Sequence, residues 1–258
     1  MNLNKKIIVT GAASGIGAET VRVLKQQGAK VIGVDRNPVE GVDEFFQVDL
    51  SEAAAIDEFI NILPFGIDGL ANIAGLPPTS PAESVLKVNI LGLKRLTLGL
   101  IDKMADGASI VNLASLAGFG WTESIDQVKQ TLALDFNSDI AAFVTNNDLG
   151  TGGRSYFLAK EALLVWTMQN RWTWRNRGIN MNAVSPGAVD TPILSDFIKT
   201  LGARAEEDMR VLDRPATPSD IAPVVVFALS DDANWFRGAN LTADGGMFPH
   251  LMSKIYQI

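Results

Sequence analysis

Two side chains suited to proton transfer, Tyr156 and Lys160, lie four residues apart near the start of a segment with helical periodicity. Residues with that spacing share one face of a helix. A phenol has an ordinary pKa of about 10, but a nearby ammonium group favours the phenolate and lowers that pKa towards the working range. The pair could therefore exchange a proton with a substrate oxygen. An exposed pair on an ordinary helix has the same spacing, so the pair alone does not establish this chemistry.

A serine and an asparagine are the other candidates for proton chemistry. Ser115 follows a predicted strand at the carboxyl edge of the sheet, where open α/β folds bind ligands, and its hydroxyl could donate to a carbonyl oxygen. Asn89 lies inside the predicted helix Glu83–Lys103, a position for which asparagine has no intrinsic preference. Because serines at strand ends are usually caps, Ser115 is weak evidence in isolation.

A glycine-rich turn at residues 10–17, with the sequence TGAASGIG, joins the first predicted strand to the first predicted helix. Glycines allow the main chain to turn tightly and to approach a pyrophosphate, whose charge is met by amide N–H groups and the positive end of the helix dipole. Such a turn alone is weak evidence, but its place in a βαβ unit favours a dinucleotide site. The predicted contacts from this turn are Gly11, Ser14, Gly15, Ile16 and Gly17.

An acidic residue, Asp35, ends the second predicted strand about 20 residues beyond Gly15. A carboxylate there can bond the adenosine ribose hydroxyls and would repel the 2′-phosphate of NADP, so we predict NAD(H) as the cofactor. Arg36 is the competing signal, since a guanidinium at this edge could bind a 2′-phosphate or stack on adenine. Asp35 could also be only a turn residue before Asn37 and Pro38.

The elements that position these residues alternate along the chain as short apolar runs and segments of helical period. The predicted strands are Lys6–Thr10, Lys30–Val34, Phe45–Val48, Gly69–Ile73, Ser109–Leu113, Asn180–Val184 and Asn240–Thr242. The predicted helices are Ile16–Gln27, Ala53–Ile62, Glu83–Lys103, Tyr156–Arg177 and Pro218–Leu229. Because strands alternate with helices and no linker divides the chain, we expect one α/β domain over residues 1–258, with a single doubly wound parallel sheet and helices on both faces.

Two segments depart from this alternation. Residues 118–152 combine a helical pattern with polar, turn-prone ends and are predicted to be an insertion with its own helices. The basic and aromatic run at residues 171–177 is interpreted as the end of the helix Tyr156–Arg177, because cations suit a helix C-terminus and Gly178 would stop it. Its tryptophans are expected to be buried against a neighbouring element or a second subunit.

The composition excludes several classes of chemistry and partner. The chain has no cysteine and one histidine, His250, which argues against thiolate chemistry and against a multi-histidine metal site, so no metal is expected. With 22 basic and 29 acidic side chains, the formal charge of −7 makes nucleic acid an unlikely partner. No apolar run has the length of a membrane span or of a signal-peptide core, so the sequence predicts a cytoplasmic protein without a membrane partner.

Taken together, these residues resemble the pattern of the short-chain dehydrogenase/reductase family over nearly the whole chain. Residues 10–17 resemble its TGxxxGIG turn, and residues 72–75 resemble its NNAG segment, with Ile73 where the family usually has a second asparagine. The resemblance extends to Pro186-Gly187 with Thr191 and to residues 244–246. It identifies Asn89, Ser115, Tyr156 and Lys160 as the catalytic tetrad and implies a Rossmann-type fold.

The resemblance also implies the roles of the site residues. Tyr156 would pass a proton to or from the substrate oxygen, and Ser115 would hold that oxygen. Lys160 would bind the nicotinamide ribose and lower the pKa of Tyr156, and Asn89 would position a water in the proton relay. The further cofactor contacts that it implies are Asp49, Leu50, Asn72, Ala74, Gly75, Tyr156, Lys160, Pro186, Gly187, Val189 and Thr191.

Tyr156 follows Ser115 by 41 residues (156 − 115), whereas about a dozen is usual in the family. This long insertion resembles the subgroup of bacterial 3α-hydroxysteroid dehydrogenase/carbonyl reductase, in which coniferyl-alcohol dehydrogenases are also found. By this resemblance we expect an NAD(H)-dependent enzyme that interconverts a secondary alcohol and a ketone. An aryl or allylic alcohol dehydrogenase is the alternative, and a non-catalytic NAD-binding regulatory protein is a third reading. The subgroup implies a homodimer, and the wider family a homotetramer.

Substrate specificity is expected to come from the loop 188–214, the insertion and the tail 247–258. Their apolar side chains would suit a bulky apolar alcohol or ketone, although several could instead close over the cofactor or fill a subunit interface. The predicted substrate contacts are Phe119, Trp121, Ile193, Leu194, Phe197, Ile198, Met247 and Phe248.

Overall fold

A seven-stranded sheet forms the centre of the computed structural model, which describes residues 4–203, 207 and 210–258. Its strands are β1 (Lys6–Thr10), β2 (Lys30–Asp35), β3 (Glu44–Gln47), β4 (Ile67–Asn72), β5 (Met104–Leu113), β6 (Asn180–Pro186) and β7 (Asn240–Ala243). They lie in the order β3-β2-β1-β4-β5-β6-β7, and all neighbouring pairs are parallel. The doubly wound parallel sheet predicted from the alternation of elements is confirmed. Its order reverses between β1 and β4, the place where open α/β sheets bind ligands.

Helices cover both faces of this sheet. They are α1 (Gly15–Gln26), α2 (Ala53–Ile62), α3 (Ala82–Leu86), α4 (Leu93–Leu100), α5 (Ile125–Ala133), α6 (Ile140–Asn146), α7 (Arg154–Gln169), α8 (Leu194–Leu201), α9 (Pro218–Leu229) and α10 (Met247–Tyr256). On one face α1 packs against α9, and on the other α2 packs against α4 and α7 packs against α5. Among the described residues, none of the helices has the length and apolar character needed to cross a membrane.

The core follows from the alternation of side chains along each strand. Successive side chains point to opposite faces, so Ile7 and Val9 of β1 enter the apolar cluster under α1 and α9, while Ile8 enters the cluster on the other face. Because strands in the middle of a covered parallel sheet are buried on both faces, they are continuously apolar. This explains why short apolar runs were sufficient to predict them.

The predicted helix Glu83–Lys103 is not one regular α-helix. Residues 87–92 form a π-helical turn between α3 and α4, and residues 101–103 form a 3₁₀ turn before β5. Asn89 lies in the π-helical turn and is buried. Short π-helical segments are uncommon and occur frequently at functional sites, so this irregularity agrees with a functional role for the segment that carries Asn89.

The predicted helix Tyr156–Arg177 is also shorter than expected. Helix α7 ends at Gln169, because the side-chain amide of Asn170 donates to the carbonyl oxygen of Trp166 at 2.8 Å and the chain then turns. A separate 3₁₀ turn, Arg175–Arg177, ends at Gly178, whose φ is +70°. The interpretation of residues 171–177 as the end of one long helix was therefore wrong. Nor are both tryptophans buried in the chain, since Trp172 is 56% exposed.

The segment between Ser115 and Tyr156 forms a 3₁₀ turn (Leu116–Thr122) followed by the helices α5 and α6. The insertion thus carries helices, as its periodicity predicted. Helix α5 packs against α7 through the buried side chain of Val128. The insertion is therefore attached to the helix that carries Tyr156 and Lys160.

Candidate active site

The glycine-rich turn between β1 and α1 brings the main chain close to the end of β4. A Cβ atom on Gly11 would lie 2.8 Å from the amide nitrogen of Ala74, and a Cβ atom on Gly17 would lie 1.9 Å from the carbonyl oxygen of Gly11. Gly11 also has a φ of +69°, in the left-handed region that favours glycine. Side chains are thus excluded at these positions, and the amides at the start of α1 face the crevice above the sheet.

A crevice of about 220 Å³ opens beside this turn. Asp35 lines it, and its carboxylate accepts hydrogen bonds from the amides of Ala13 at 3.1 Å and of Asn37 at 2.9 Å. The predicted contacts that line the crevice are Gly11, Ser14, Gly15, Ile16, Gly17, Asp35, Arg36, Asp49, Leu50, Ala74, Gly75 and Thr191. The structure therefore assembles the predicted phosphate and adenosine contacts in one place, at the switch point of the sheet.

Asn72 is the predicted cofactor contact that lies elsewhere. It is buried and lines neither the crevice nor the neighbouring cavity. Its side-chain amide donates to Asn112 Oδ1 on β5 and to Thr97 Oγ1 on α4, both at 2.9 Å. The Asn72 side chain thus bonds sideways to neighbouring elements and is not directed towards the crevice. Asn72 therefore connects β4 to its neighbours.

A second cavity, of about 480 Å³, lies beyond the carboxyl ends of β5 and β6. Ser115, Tyr156 and Lys160 line it, with Pro186, Gly187 and Val189 from the end of β6 and the following loop. The crevice and this cavity adjoin, because both are lined by Leu113, Gly75 and Thr191. The serine, the tyrosine and the lysine thus meet where a ligand in the crevice would reach the second cavity.

The ionisation of the tyrosine and the lysine is governed by burial. Burial raises the pKa of Tyr156 above its ordinary value, and the Ser115 side chain offsets part of this change. Burial lowers the pKa of Lys160 to about 8. The Lys160 ammonium group donates to the main-chain oxygen of Leu113 at 2.6 Å and lies 5.6 Å from the centre of the Tyr156 ring. Because burial is the larger effect on Tyr156, the expected net lowering of its pKa is not found.

Asn89 faces the main chain of the loop after β4. The amide of Leu76 donates to Asn89 Oδ1 at 2.7 Å, and Asn89 Nδ2 donates to the carbonyl oxygen of Leu76 at 3.0 Å. Each end of the side-chain amide thus makes one main-chain hydrogen bond and keeps one further position, so the expected role of holding a water stays a prediction. Asn89 fixes the loop at Gly75 and Leu76, which lines both cavities.

The second cavity is walled mainly by apolar side chains. Of the predicted substrate contacts, Phe119, Ile193, Leu194, Phe197, Ile198, Met247 and Phe248 line it. Phe197 packs edge-on against Tyr156, with the ring centres 5.0 Å apart. Phe119 stacks on Phe248, with the ring centres 4.0 Å apart. Trp121 does not line the cavity and packs against the core instead. Part of the predicted substrate loop 188–214, at residues 204–206 and 208–209, lies outside the described residues.

Sequence reasoning missed several lining residues, namely Phe157, Glu161, Leu212, Leu251, Met252 and Ile255. Met247, Leu251 and Ile255 recur every four residues, which is the period of one helix face, so helical spacing in the tail was a signal for them. Glu161 gave no such signal, because an acidic residue is not expected in an apolar wall. Among the described residues, no group of three side chains of the histidine, cysteine, aspartate and glutamate types could hold a metal ion.

Comparisons with known proteins agree with this geometry. Residues 5–125 match the family model described as short chain dehydrogenase, and residues 140–248 match the model described as Enoyl-(Acyl carrier protein) reductase. Coniferyl-alcohol dehydrogenase of Pseudomonas sp. (strain HR199 / DSM 7063) is 42% identical over 95% of this chain and 96% of its own length. 3-alpha-hydroxysteroid dehydrogenase/carbonyl reductase of Comamonas testosteroni is 29% identical over 93% of this chain and 95% of its own length.

The fold has a close counterpart among solved structures. The 3-alpha-hydroxysteroid dehydrogenase from Pseudomonas sp. B-0831, complexed with NADH, has a TM-score of 0.81 and 29% identity, and the match covers 96% of this chain and 99% of that one. The sheet order, the glycine-rich turn and the full-length relative at 42% identity lead to the same conclusion. This chain belongs to the short-chain dehydrogenase/reductase family of oxidoreductases.

Proposed function

We propose that the chain is an NAD(H)-dependent enzyme that interconverts a secondary alcohol and a ketone. The observation that carries the proposal is the position of Ser115, Tyr156 and Lys160, which line an apolar cavity where it adjoins the crevice of the glycine-rich turn. A cofactor in the crevice and a substrate in the cavity would meet beside the only buried phenol among the described residues. A non-catalytic nucleotide-binding protein would have no use for that arrangement.

The crevice fits a nicotinamide dinucleotide. The turn around Gly11 and Gly17 leaves no room for side chains, as close approach to a pyrophosphate requires, and α1 directs its amides there. Asp35 would hold the adenosine ribose, Asp49 and Leu50 the adenine, and the β6 end with Val189 and Thr191 the nicotinamide. When bound, NAD(H) supplies or accepts a hydride at the substrate carbon. The carboxylate of Asp35 favours NAD(H) over the 2′-phosphorylated form.

The chain itself moves the proton. In the direction of reduction, the Tyr156 hydroxyl donates its proton to the substrate oxygen, and the Ser115 hydroxyl donates a hydrogen bond to the same oxygen. Tyr156 can act as the acid in this step because its phenol carries a proton at neutral pH. Lys160, with its pKa of about 8, sits where it can bond the nicotinamide ribose and exchange a proton near neutral pH. Asn89 acts on this site by holding the loop at Gly75 and Leu76.

The substrate is proposed to be a bulky, largely apolar alcohol or ketone of hydroxysteroid type. The apolar walls of the 480 Å³ cavity support this, as do the relatives that are named for 3α-hydroxysteroids. A second candidate is an aryl or allylic alcohol of coniferyl type. The observation that favours it is the 42% identity to a coniferyl-alcohol dehydrogenase.

The test is steady-state NADH formation from 3α-hydroxysteroids, coniferyl alcohol, 1-phenylethanol and simple cyclic alcohols, with NAD and with NADP. We predict turnover with NAD and a loss of about 10²- to 10⁴-fold in kcat in Tyr156→Phe, because that variant has no phenolic proton to transfer. Tyr256→Phe, at an exposed position on α10, is the matched control and should keep full turnover. Near-normal turnover in Tyr156→Phe would refute the assignment.

Assembly and compartment are further parts of the proposal. We propose a homodimer or homotetramer in the cytoplasm, where nicotinamide coenzymes are available. The side chain of Trp235, which is 95% exposed, is available for a contact between copies. Light scattering of the purified protein would decide between the two assemblies and a monomer.

A further inference from the structure

A buried carboxylate interrupts the apolar wall of the substrate cavity. Glu161 follows Lys160 on α7, is only 4% exposed and lines the cavity. The guanidinium of Arg154 donates to Glu161 Oε1 and to Oε2, both at 2.8 Å, and the Ser124 hydroxyl donates to Oε2 at 2.6 Å. These bonds pair the buried carboxylate with a cation and a hydroxyl donor, which offsets the cost of burying it.

One oxygen of this carboxylate retains free acceptor capacity. A carboxylate has about four lone-pair positions, two on each oxygen. Within the described residues, Oε2 of Glu161 accepts two hydrogen bonds, whereas Oε1 accepts one. Oε1 can therefore accept another hydrogen bond from a donor that reaches it.

A glycine leaves the space beside Oε1 open. A Cβ atom on Gly120 would lie 3.2 Å from Glu161 Oε1, and Gly120 itself lines the cavity. The main chain at Gly120 does not have a positive φ, so no turn geometry requires glycine there. A methyl group at residue 120 would press on Oε1 and cover it, so glycine keeps this oxygen open to the cavity.

The negative charge of this part of the cavity wall determines which substrate group can bind there. Glu123, which is exposed, lines the same cavity, so two carboxylates lie on this wall. Such a wall accepts hydrogen bonds and repels anions, so it favours a hydroxyl group over a carboxylate or a ketone oxygen. Glu161 and Tyr156 are five residues apart on α7, which separates their Cα atoms by about 7.5 Å along the helix axis. A substrate hydroxyl at this wall would thus be remote from the reacting carbon.

We infer that Glu161, exposed to the cavity by Gly120, accepts a hydrogen bond from a second hydroxyl group on the substrate. The inference rests on the proposed function and narrows the substrate class to apolar alcohols that carry such a hydroxyl. Both a phenol on an aryl alcohol and a hydroxyl on the far ring of a steroid have this chemistry. The paired ligands in the experiment distinguish these two sources.

The experiment compares each hydroxyl compound with its methyl ether, which cannot donate. One pair is coniferyl alcohol and its phenolic methyl ether, and the other is a 3α,17β-dihydroxysteroid and its 17-methyl ether. The readouts are kcat/KM with NAD and, independently of turnover, the Kd from calorimetry with NADH present. We expect Gly120→Ala to reduce the preference for the hydroxyl compound by about 10-fold or more, the usual effect of losing a hydrogen bond to a charged group. Glu161→Gln, which keeps the shape but accepts a weaker bond, should reduce it by a smaller factor.

The two variants separate recognition from packing. Gly120→Ala keeps both Arg154 and Glu161, with the carboxylate moved only by the few tenths of an ångström that its methyl group requires. A purely steric effect of that methyl group would harm the larger ether more than the hydroxyl compound. Gly150→Ala, also without a positive φ and with open space around it, is the matched control and should change neither preference. If the variants lower the preference for the hydroxyl compound in just one of the two ligand pairs, that pair identifies the substrate class.

Unchanged preferences in Gly120→Ala and Glu161→Gln, in both ligand pairs, would overturn the inference and leave Glu161 as a structural link between α7 and the insertion. Wild-type protein that shows the Kd preference but no turnover would refute the proposed function and not the subsite. The two failures are therefore distinguishable.

Discussion

Lys160 is the residue in the site whose ionisation depends most on its surroundings. Its side chain is 5% exposed, and its ammonium group is held by the carbonyl oxygen of Leu113 at the end of β5. Burial disfavours the charged form and lowers the pKa of this group from 10.5 to about 8. The folded protein therefore releases this proton at a lower pH than the unfolded chain does.

This difference predicts a pH-dependent stability. Between about pH 8 and pH 10.5 the unfolded chain binds a proton at Lys160 that the folded protein has released, so the free energy of unfolding of the wild type rises with pH. Relative to Lys160→Met, which has no such proton, the wild type should gain up to about 3 kcal/mol across this range. Urea unfolding at several pH values, followed by circular dichroism, measures the difference.

Two features of this experiment make it specific. The hydrogen bond to Leu113 is absent from Lys160→Met at every pH. Its loss therefore shifts the difference in the free energy of unfolding between wild type and variant by a constant, and does not change how that difference depends on pH. Lys129→Met, at an exposed position of α5, is the control for removing one positive charge. If the difference in the free energy of unfolding between wild type and Lys160→Met did not change with pH, the lowering of the Lys160 pKa by burial would be contradicted.

At residue level, the sequence was sufficient to predict which residues lie together where position in an element decides it. Ser115 had to stand at the carboxyl end of an inner strand, and a tyrosine and a lysine four apart had to share a helix face, so all three were brought together. Asn72 and Asn89 were predicted at the right places, but their side chains bond neighbouring strands and loops. The direction of an amide side chain depends on partners that are distant in sequence, which spacing along the chain does not reveal.

At the scale of elements, a buried polar chain joins the sheet to the helix that carries the tyrosine. Asn72 on β4 donates to Asn112 on β5, and Asn112 Nδ2 donates to Thr167 Oγ1 on α7 at 3.0 Å. These bonds lie inside the core, where unpaired polar groups are costly and paired ones fix a single arrangement. They thus hold α7 at a definite position over β5.

Element boundaries could be predicted where local chemistry decides them. Helix α9 begins and ends as expected, because Pro218 follows Thr217 at the start and the Asp220 carboxylate accepts from the Thr217 amide. The π-helical turn at residues 87–92 could not be predicted, since nothing in the local pattern interrupts the helix there. The end of α7 at Gln169 depends on one side-chain bond of Asn170, which competes with continuation of the helix.

The stacked pair of Phe119 and Phe248 joins the insertion side of the cavity to α10. We predict that Phe248→Ala raises KM for bulky substrates by about 10-fold or more, because it removes an aromatic contact and part of the apolar wall. The Kd for NADH should change by less than about 3-fold, since no residue of α10 lines the crevice that would hold the adenosine and pyrophosphate, and these groups supply the larger part of the cofactor contacts. Steady-state kinetics and fluorescence titration with NADH measure the two quantities.

A matched control tests whether the effect is local. Phe65→Ala removes a phenylalanine that is 74% exposed, on the loop before β4, and should leave both KM and the Kd for NADH unchanged. If Phe248→Ala weakened NADH and substrate equally, α10 would be acting on the whole fold and not on the substrate wall.

At the scale of the molecule, the sheet separates two binding tasks. The reversal of strand order at β1 and β4 opens the crevice for the cofactor, and the segments that follow β5 and β6, with α8 and α10, supply most of the apolar cavity. The chain carries a formal charge of −7, so the anionic cofactor is held by local features, the turn amides and the dipole of α1, against the field of the whole protein. Cofactor preference should accordingly depend on Asp35 and Arg36 at the crevice edge.

Cofactor binding should therefore stabilise the whole fold, and a cofactor that binds more tightly at the crevice should stabilise it more. A ligand at 100 times its Kd stabilises a protein by about 2.7 kcal/mol, which corresponds to a rise in Tm of roughly 5–10 °C for a domain of this size. We expect a rise of that order with NADH and a smaller one with NADPH at the same concentration, because the Asp35 carboxylate repels the 2′-phosphate. Asp35→Ser keeps Arg36 and removes the carboxylate, so the rise in Tm with NADPH should become as large as the rise with NADH. Calorimetric melting curves that gave the wild type equal shifts with both cofactors would instead assign Arg36 to the 2′-phosphate.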